Sequence, residues 1–131
     1  MRYRSRSFTA LCAVALGLSL AAPMHGFEST YLHTNRLSFG GPVRLPGVTL
    51  PAGTYLFERI EPTNRDVIVV RSDDRTRTYF MAQTLRRERP ANLPPGQLID
   101  FGETRRGDVP SIAAWYPEGE RMGHAFVYPA R

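Results

Sequence analysis

Cysteine is almost missing from this chain of 131 residues, and lysine is missing altogether. The single cysteine, Cys12, lies inside an apolar N-terminal run, so the rest of the chain holds no thiol, no disulfide and no cysteine-ligated metal. Small exported domains often use disulfides as staples; this one has to hold together by core packing alone. Past the N-terminal run, no stretch of ten or more residues keeps the 3.6-residue apolar period of an amphipathic helix. Histidine is limited to His25, His33 and His124, with no pair at metal-ligand spacing. Ser29, Ser38, Ser72 and Ser111 lack the glycine-flanked elbow of a hydrolase nucleophile. Gly40-Gly41-Pro42 is a turn with no helix after it to receive a phosphate. These absences lead to an expectation of no catalytic residue, no metal and no cofactor.

The N-terminus carries a recognisable pattern. Arg2, Arg4 and Arg6 form a positive head, Phe8 to Ala22 is uncharged and apolar, and Ser19 and Ala21, or Leu20 and Ala22, give a small-residue exit. That order is the pattern of a secretory signal. It predicts a helical signal segment and short leader over residues 1–26, cleavage after Ala21 or Ala22, and export to the periplasm or the medium. The uncharged run from Ser7 to Met24 has 18 residues, close to the roughly 20 that span a bilayer. The segment would therefore act as an anchor if retained, and that is the only membrane contact the sequence suggests. Without the three leader arginines the balance falls from 17 basic against 12 acidic residues to 14 against 12. A charge this small does not suggest nucleic acid as a partner.

Residues 27–131 read as one domain. Short apolar runs rich in valine, isoleucine, tyrosine and phenylalanine suit a pleated surface. They cover residues 36–39, 43–45, 54–60, 67–71, 78–85, 97–101, 111–116 and 124–128. Turn residues separate them. Pro46-Gly47 and Pro95-Gly96 fit type II turns, and Ser72-Asp73-Asp74-Arg75 fits a hairpin tip. The expected fold is all-β: a single antiparallel β-sandwich or small barrel of about seven to eight short strands. Val67 to Val70 is apolar on both faces and reads as a central strand. The only stretch open to a helical turn is Ile112 to Trp115; residues 22 to 35 read as a polar leader, with an extension of the first strand through Tyr31 and Leu32 as the alternative, and the prolines from Pro90 to Pro95 read as an exposed connection.

Three groups of residues compete for a functional role. Trp115 and Tyr116, with His124 in the last strand, offer aromatic faces for stacking on a glycan or a lipid, although aromatic side chains of this size more often belong to the core. Asp100 and Glu103 flank a strand end and, with His124, are the only acid–base set suggested for an enzyme acting on envelope polymer. Arg86, Arg87 and Arg89, with Arg75 and Arg77 nearby, are candidates for a polyanion, but Glu88 among them suits a solvated strand end better.

The order of turns and strands over residues 36–128 resembles a family of small exported bacterial β-domain proteins, acidobacterial in type and without assigned function. The matching stretches are Leu37-Ser38-Phe39, Pro42 to Phe57 with its Leu50-Pro51-Ala52-Gly53-Thr54-Tyr55 hairpin, Ala114-Trp115-Tyr116-Pro117, and Gly123-His124-Ala125-Phe126-Val127-Tyr128. Members often carry glutamate where this chain has Ala125. The resemblance implies an exported all-β domain and brings no activity, ligand or catalytic residue. The leading expectation is a non-enzymatic structural or binding protein of the cell envelope, with an envelope protein or glycan as partner. A carbohydrate- or lipid-binding module using exposed aromatics is the alternative, and a small envelope-polymer enzyme the second.

Overall fold

The computed structural model describes residues 33–60 and 64–130. The predicted signal segment with its cleavage site, Cys12, His25, Ser29 and the strand extension through Tyr31 and Leu32 lie outside the described residues. Within them the chain is an antiparallel β-sandwich of ten strands with no helix. The strands are β1 (His33–Phe39), β2 (Val43–Leu45), β3 (Val48–Leu50), β4 (Gly53–Arg59), β5 (Val67–Ser72), β6 (Thr78–Gln83), β7 (Leu85–Glu88), β8 (Ile99–Phe101), β9 (Ile112–Trp115) and β10 (Met122–Ala125). One sheet runs in the order β1-β4-β5-β6 and the other β7-β10-β9-β8, while β2 and β3 form a separate hairpin.

Local sequence explains the turns. Leu45 pairs with Val48, leaving Pro46-Gly47 as a two-residue connection in which Gly47 has φ 73°. That left-handed conformation favours glycine. At the β5–β6 tip Arg75 adopts φ 60°. There the Asp74 Oδ1 accepts from Ser72 Oγ at 2.6 Å, Thr76 N at 3.0 Å and Thr76 Oγ1 at 2.7 Å. These bonds, Ser72 and Thr76 foremost, draw the Asp74 carboxyl down to about 2. Aspartate stabilises such tips by standing in for a backbone acceptor.

Thr84 makes the change of sheet. Its N–H and its hydroxyl both donate to the Asp66 carbonyl, at 2.7 and 2.8 Å. This corner ends β6 in one sheet and starts β7 in the other, so the single run expected over residues 78–85 is two strands. That break and the short β3 raise the count above seven or eight. The apolar run Val67 to Val70 lies in β5, between β4 and β6, with Ile68, Val69 and Val70 buried. Ile112 to Trp115, within the apolar run read over residues 111–116 and the one stretch also open to a helical turn, is strand β9. There Trp115 pairs with both Ile99 and His124 in a central position of the second sheet, and the ladder bonds on both sides hold it extended.

The core lies between the sheets. Phe57 of β4 meets Trp115 of β9 at 5.9 Å between ring centroids, and Phe80 meets Phe126 at 5.6 Å, edge to face. Leu45, Leu50, Ile68, Val70 and Ile112 complete it. Burying each large aromatic ring removes about 150–250 Å² from water, enough to stand in for the missing disulfides. The hairpin β2–β3 closes one side. Leu45 and Leu50 point into the core, and Arg44 forms a parallel bridge to Ser111 just before β9.

Candidate functional site

The second sheet reaches the hairpin through a compact set of bonds around Arg44. In Val43-Arg44-Leu45 the two apolar residues are buried and Arg44 faces the other way, as strand alternation requires. The Arg44 N–H donates to the Pro110 carbonyl at 2.8 Å. The Tyr128 hydroxyl shares its proton between the carbonyls of Arg44 at 2.9 Å and Ile112 at 2.6 Å. Burial, opposed by the nearby Arg44 charge, pushes that phenol up to about 12. The Arg44 guanidinium then lies against Ser111 Oγ, donating from Nε at 3.0 Å and Nη2 at 2.7 Å. Ser111 Oγ thus accepts two N–H groups from a cation and is hydrogen-bonded to no base among the described residues, an arrangement opposite to that of an activated nucleophile.

These residues border a cleft of about 600 Å³, a size that suits a small organic ligand. Ala113 and Ala125 supply apolar surface, Tyr128 and Pro129 extend it, and Arg44, Arg87, Glu103 and Ser111 bring polarity, while Phe126 borders the cleft with its ring turned into the core. Arg87 is neutralised by Asp100, Nη2 to Oδ2 at 3.0 Å. Arg44 forms no ion pair with any described carboxylate, and Glu103 forms none with any described cation. Among the described residues the cleft therefore presents one positive and one negative group without an ion-pair partner.

The residues put forward for an aromatic platform are elsewhere. Trp115 and Tyr116 are 0% exposed and His124 is 3% exposed. Stacking on a ligand needs an open ring face, and none of the three has one. Trp115 donates from Nε1 to Asn35 Oδ1 at 3.2 Å and stacks on the His124 ring at 5.7 Å. Tyr116 lies over Gly123, where a Cβ would stand on its ring and 2.7 Å from Trp115 O. Arg89 covers Tyr116 at 5.6 Å. Burial raises the Tyr116 phenol above its ordinary value.

The acid–base set is also dispersed. Glu103 borders the cleft, Asp100 is tied to Arg87, and His124 sits in a different, smaller depression of about 190 Å³ with Arg59, Arg86 and Glu120. That depression does bring a carboxylate near His124, but both oxygens of Glu120 are engaged, one by His33 Nε2 at 3.0 Å and one by Arg59 Nη1 at 2.8 Å. Since the Thr84 hydroxyl gives its proton to the Asp66 carbonyl, its oxygen accepts from His124 Nδ1 at 3.1 Å. Burial first, then Arg59, lowers the imidazole to about 4, so it is neutral at pH 7. The basic cluster is divided in the same way: Arg86 pairs with Asp66, Arg87 with Asp100, and Arg89 turns onto Tyr116.

The sequence alone did not bring Arg44 and Ser111 together: Val43-Arg44-Leu45 read as a short strand and Ser111 as a serine without a nucleophile elbow. They lie 67 positions apart, and only the outward place of Arg44 in the alternation marked it. Comparison of the chain with protein-family models, with curated proteins and with solved structures gave no match.

Proposed function

We propose that this chain is a non-enzymatic binding domain of the exported compartment, and that its ligand is an amphiphile seated in the cleft beside β2. The anionic group of the ligand rests on Arg44 and its apolar part covers Ala113 and Ala125. The observation that carries this reading is the Arg44 guanidinium: Ser111 fixes it by two hydrogen bonds, no described carboxylate neutralises it, and apolar surface lies next to it. A guanidinium held in place at a cleft edge is pre-organised for a carboxylate or phosphate, which it can meet with charge-assisted bonds. The binding role expected from the sequence is retained in this reading, while the contact residues move from Trp115, Tyr116 and His124 to the cleft.

Isothermal titration with octyl phosphate tests the reading, with octyltrimethylammonium as the apolar control of opposite charge. One saturable site for octyl phosphate is expected. It should be weakened about tenfold by Arg44→Gln, as for loss of a charge-assisted contact, and abolished by Ala125→Trp, which fills the cleft. Equal binding of the two surfactants, or binding indifferent to both substitutions, would show that the cleft is not the site.

A further inference from the structure

We propose that the cleft selects a zwitterionic head group of the phosphoethanolamine class, with Arg44 taking the phosphate and Glu103 the ammonium. The inference rests on the amphiphile reading above and goes further, to the chemistry of the head group. Arg44 and Glu103 border the same cleft, yet neither forms an ion pair with the other or with another described charged side chain. The other cation there, Arg87, is closed by Asp100. Among the described residues the unmatched charges thus number one of each sign, too far apart to form an ion pair with each other.

Three ligand types meet this arrangement differently. A purely anionic head satisfies Arg44 but places a negative charge in the same cleft as Glu103. A purely cationic head satisfies Glu103 and opposes Arg44. A head carrying both charges satisfies each, and like-charge opposition against the first two is itself a source of selectivity. A phosphate and an ammonium joined by two carbons put both charges on one short head, which can meet two protein charges that form no ion pair with each other. The ammonium carries N–H donors that a carboxylate can accept. Ala113 and Ala125 offer acyl chains an apolar place beside the head.

The test is titration calorimetry with dihexanoyl phosphatidylethanolamine and dihexanoyl phosphatidylglycerol, both kept monomeric, and with O-phosphoethanolamine as the head group alone. The wild-type chain should bind the ethanolamine lipid about threefold more tightly than the glycerol lipid, the scale of one exposed ion pair. Glu103→Gln should remove that preference while leaving the glycerol lipid bound as well or better. Arg44→Gln should weaken both lipids about tenfold. Circular dichroism confirms that each variant is folded. If O-phosphoethanolamine alone matches the lipid, the zwitterion is supported and its source is a soluble compound rather than a membrane lipid. A wild-type chain with no preference, or a preference that survives Glu103→Gln, overturns the head-group assignment and leaves the amphiphile reading standing. Failure of both lipids and of octyl phosphate to bind overturns the two together.

Discussion

Charges on the β4 side of the molecule close on one another, and charges in the cleft beside β2 do not. Glu58 of β4 has no exposed surface, yet its carboxylate receives Arg75 Nε at 2.9 Å, has Arg71 Nε at 3.6 Å and accepts from Thr34 Oγ1 at 3.5 Å. Farther along the same strand, Arg59 meets Glu120, which also holds His33. These pairs join residues distant in sequence. Arg75 belongs to the β5–β6 tip and Glu58 to the neighbouring strand, so the contact fastens the hairpin to the sheet. Arg44 is fixed just as firmly, but by a neutral hydroxyl, and its charge remains available. A charge completed inside the fold serves the fold. One held rigid and left incomplete is available to a ligand, and that difference separates the two regions more sharply than their arginine content.

The strongest way to probe the closed region is Glu58→Ala. It removes a fully buried side chain from between two arginines, leaves a cavity and takes a carboxylate away from Arg71 and Arg75. A stability loss of about 3 kcal/mol is expected, within the range for breaking a buried ion pair. Urea denaturation followed by Trp115 fluorescence measures it, and below the transition the variant should bind octyl phosphate like the wild type. A loss under about 1 kcal/mol would mean that the buried carboxylate contributes no more than a surface charge, and the contrast between the regions would fail.

Acid should also act on the closed region. His124 is neutral in the fold with its imidazole lowered to about 4, against about 6.5 in the unfolded chain. Between those values the unfolded state binds more protons, so stability rises with pH through this window. The contribution is complete above pH 6.5 and is lost as pH falls toward 4. A loss of about 2 kcal/mol over that interval is expected from the size of the shift, discounted for partial access of water. Denaturation midpoints at a series of pH values measure the slope, and His124→Gln should flatten it. An unchanged slope in the variant would assign the acid sensitivity to carboxylates.

Much of the fold was legible in the sequence because local chemistry set it. The Pro46-Gly47 turn follows from the φ preferences of its own residues, and the Ser72 to Arg75 tip from hydrogen bonds within a few positions. Val67 to Val70 is apolar on both sides because both sides are covered. Features set by distant partners were not legible. Nothing near Thr84 announces a change of sheet, which depends on the Asp66 carbonyl 18 positions away. The pattern around Ala113 and Ala114 allowed a helical turn, and pairing with β8 and β10 decided for a strand. Glu58 reads as an ordinary polar residue in an apolar strand until Arg75 folds over it. The site suffered most from this limit. Trp115, Tyr116 and His124 stand out by chemistry, but the same chemistry fills cores. Arg44 stands out only once Ser111 is beside it and a carboxylate is not.

The smallest expected effects are the most discriminating for the open region. Glu103 is exposed and its side chain forms no bond to a described residue that substitution would remove, so Glu103→Gln should change stability by no more than about 0.5 kcal/mol. Arg44→Gln gives up the two bonds to Ser111 Oγ, but its backbone bridge and the Tyr128 bond to its carbonyl do not depend on the side chain. Its loss should be about 1 kcal/mol, the scale of a net hydrogen-bond contribution. Thermal or urea unfolding of the two variants beside Glu58→Ala gives the ranking directly. A cleft built for binding places its charges where removal barely disturbs folding, whereas a cleft that is only a gap in the packing carries charges with no particular relation to either. If Arg44→Gln proved as damaging as Glu58→Ala, Arg44 would belong to the closed kind of charge, holding hairpin β2–β3 to β9, and the distinction drawn between the two regions would have to be given up at that residue.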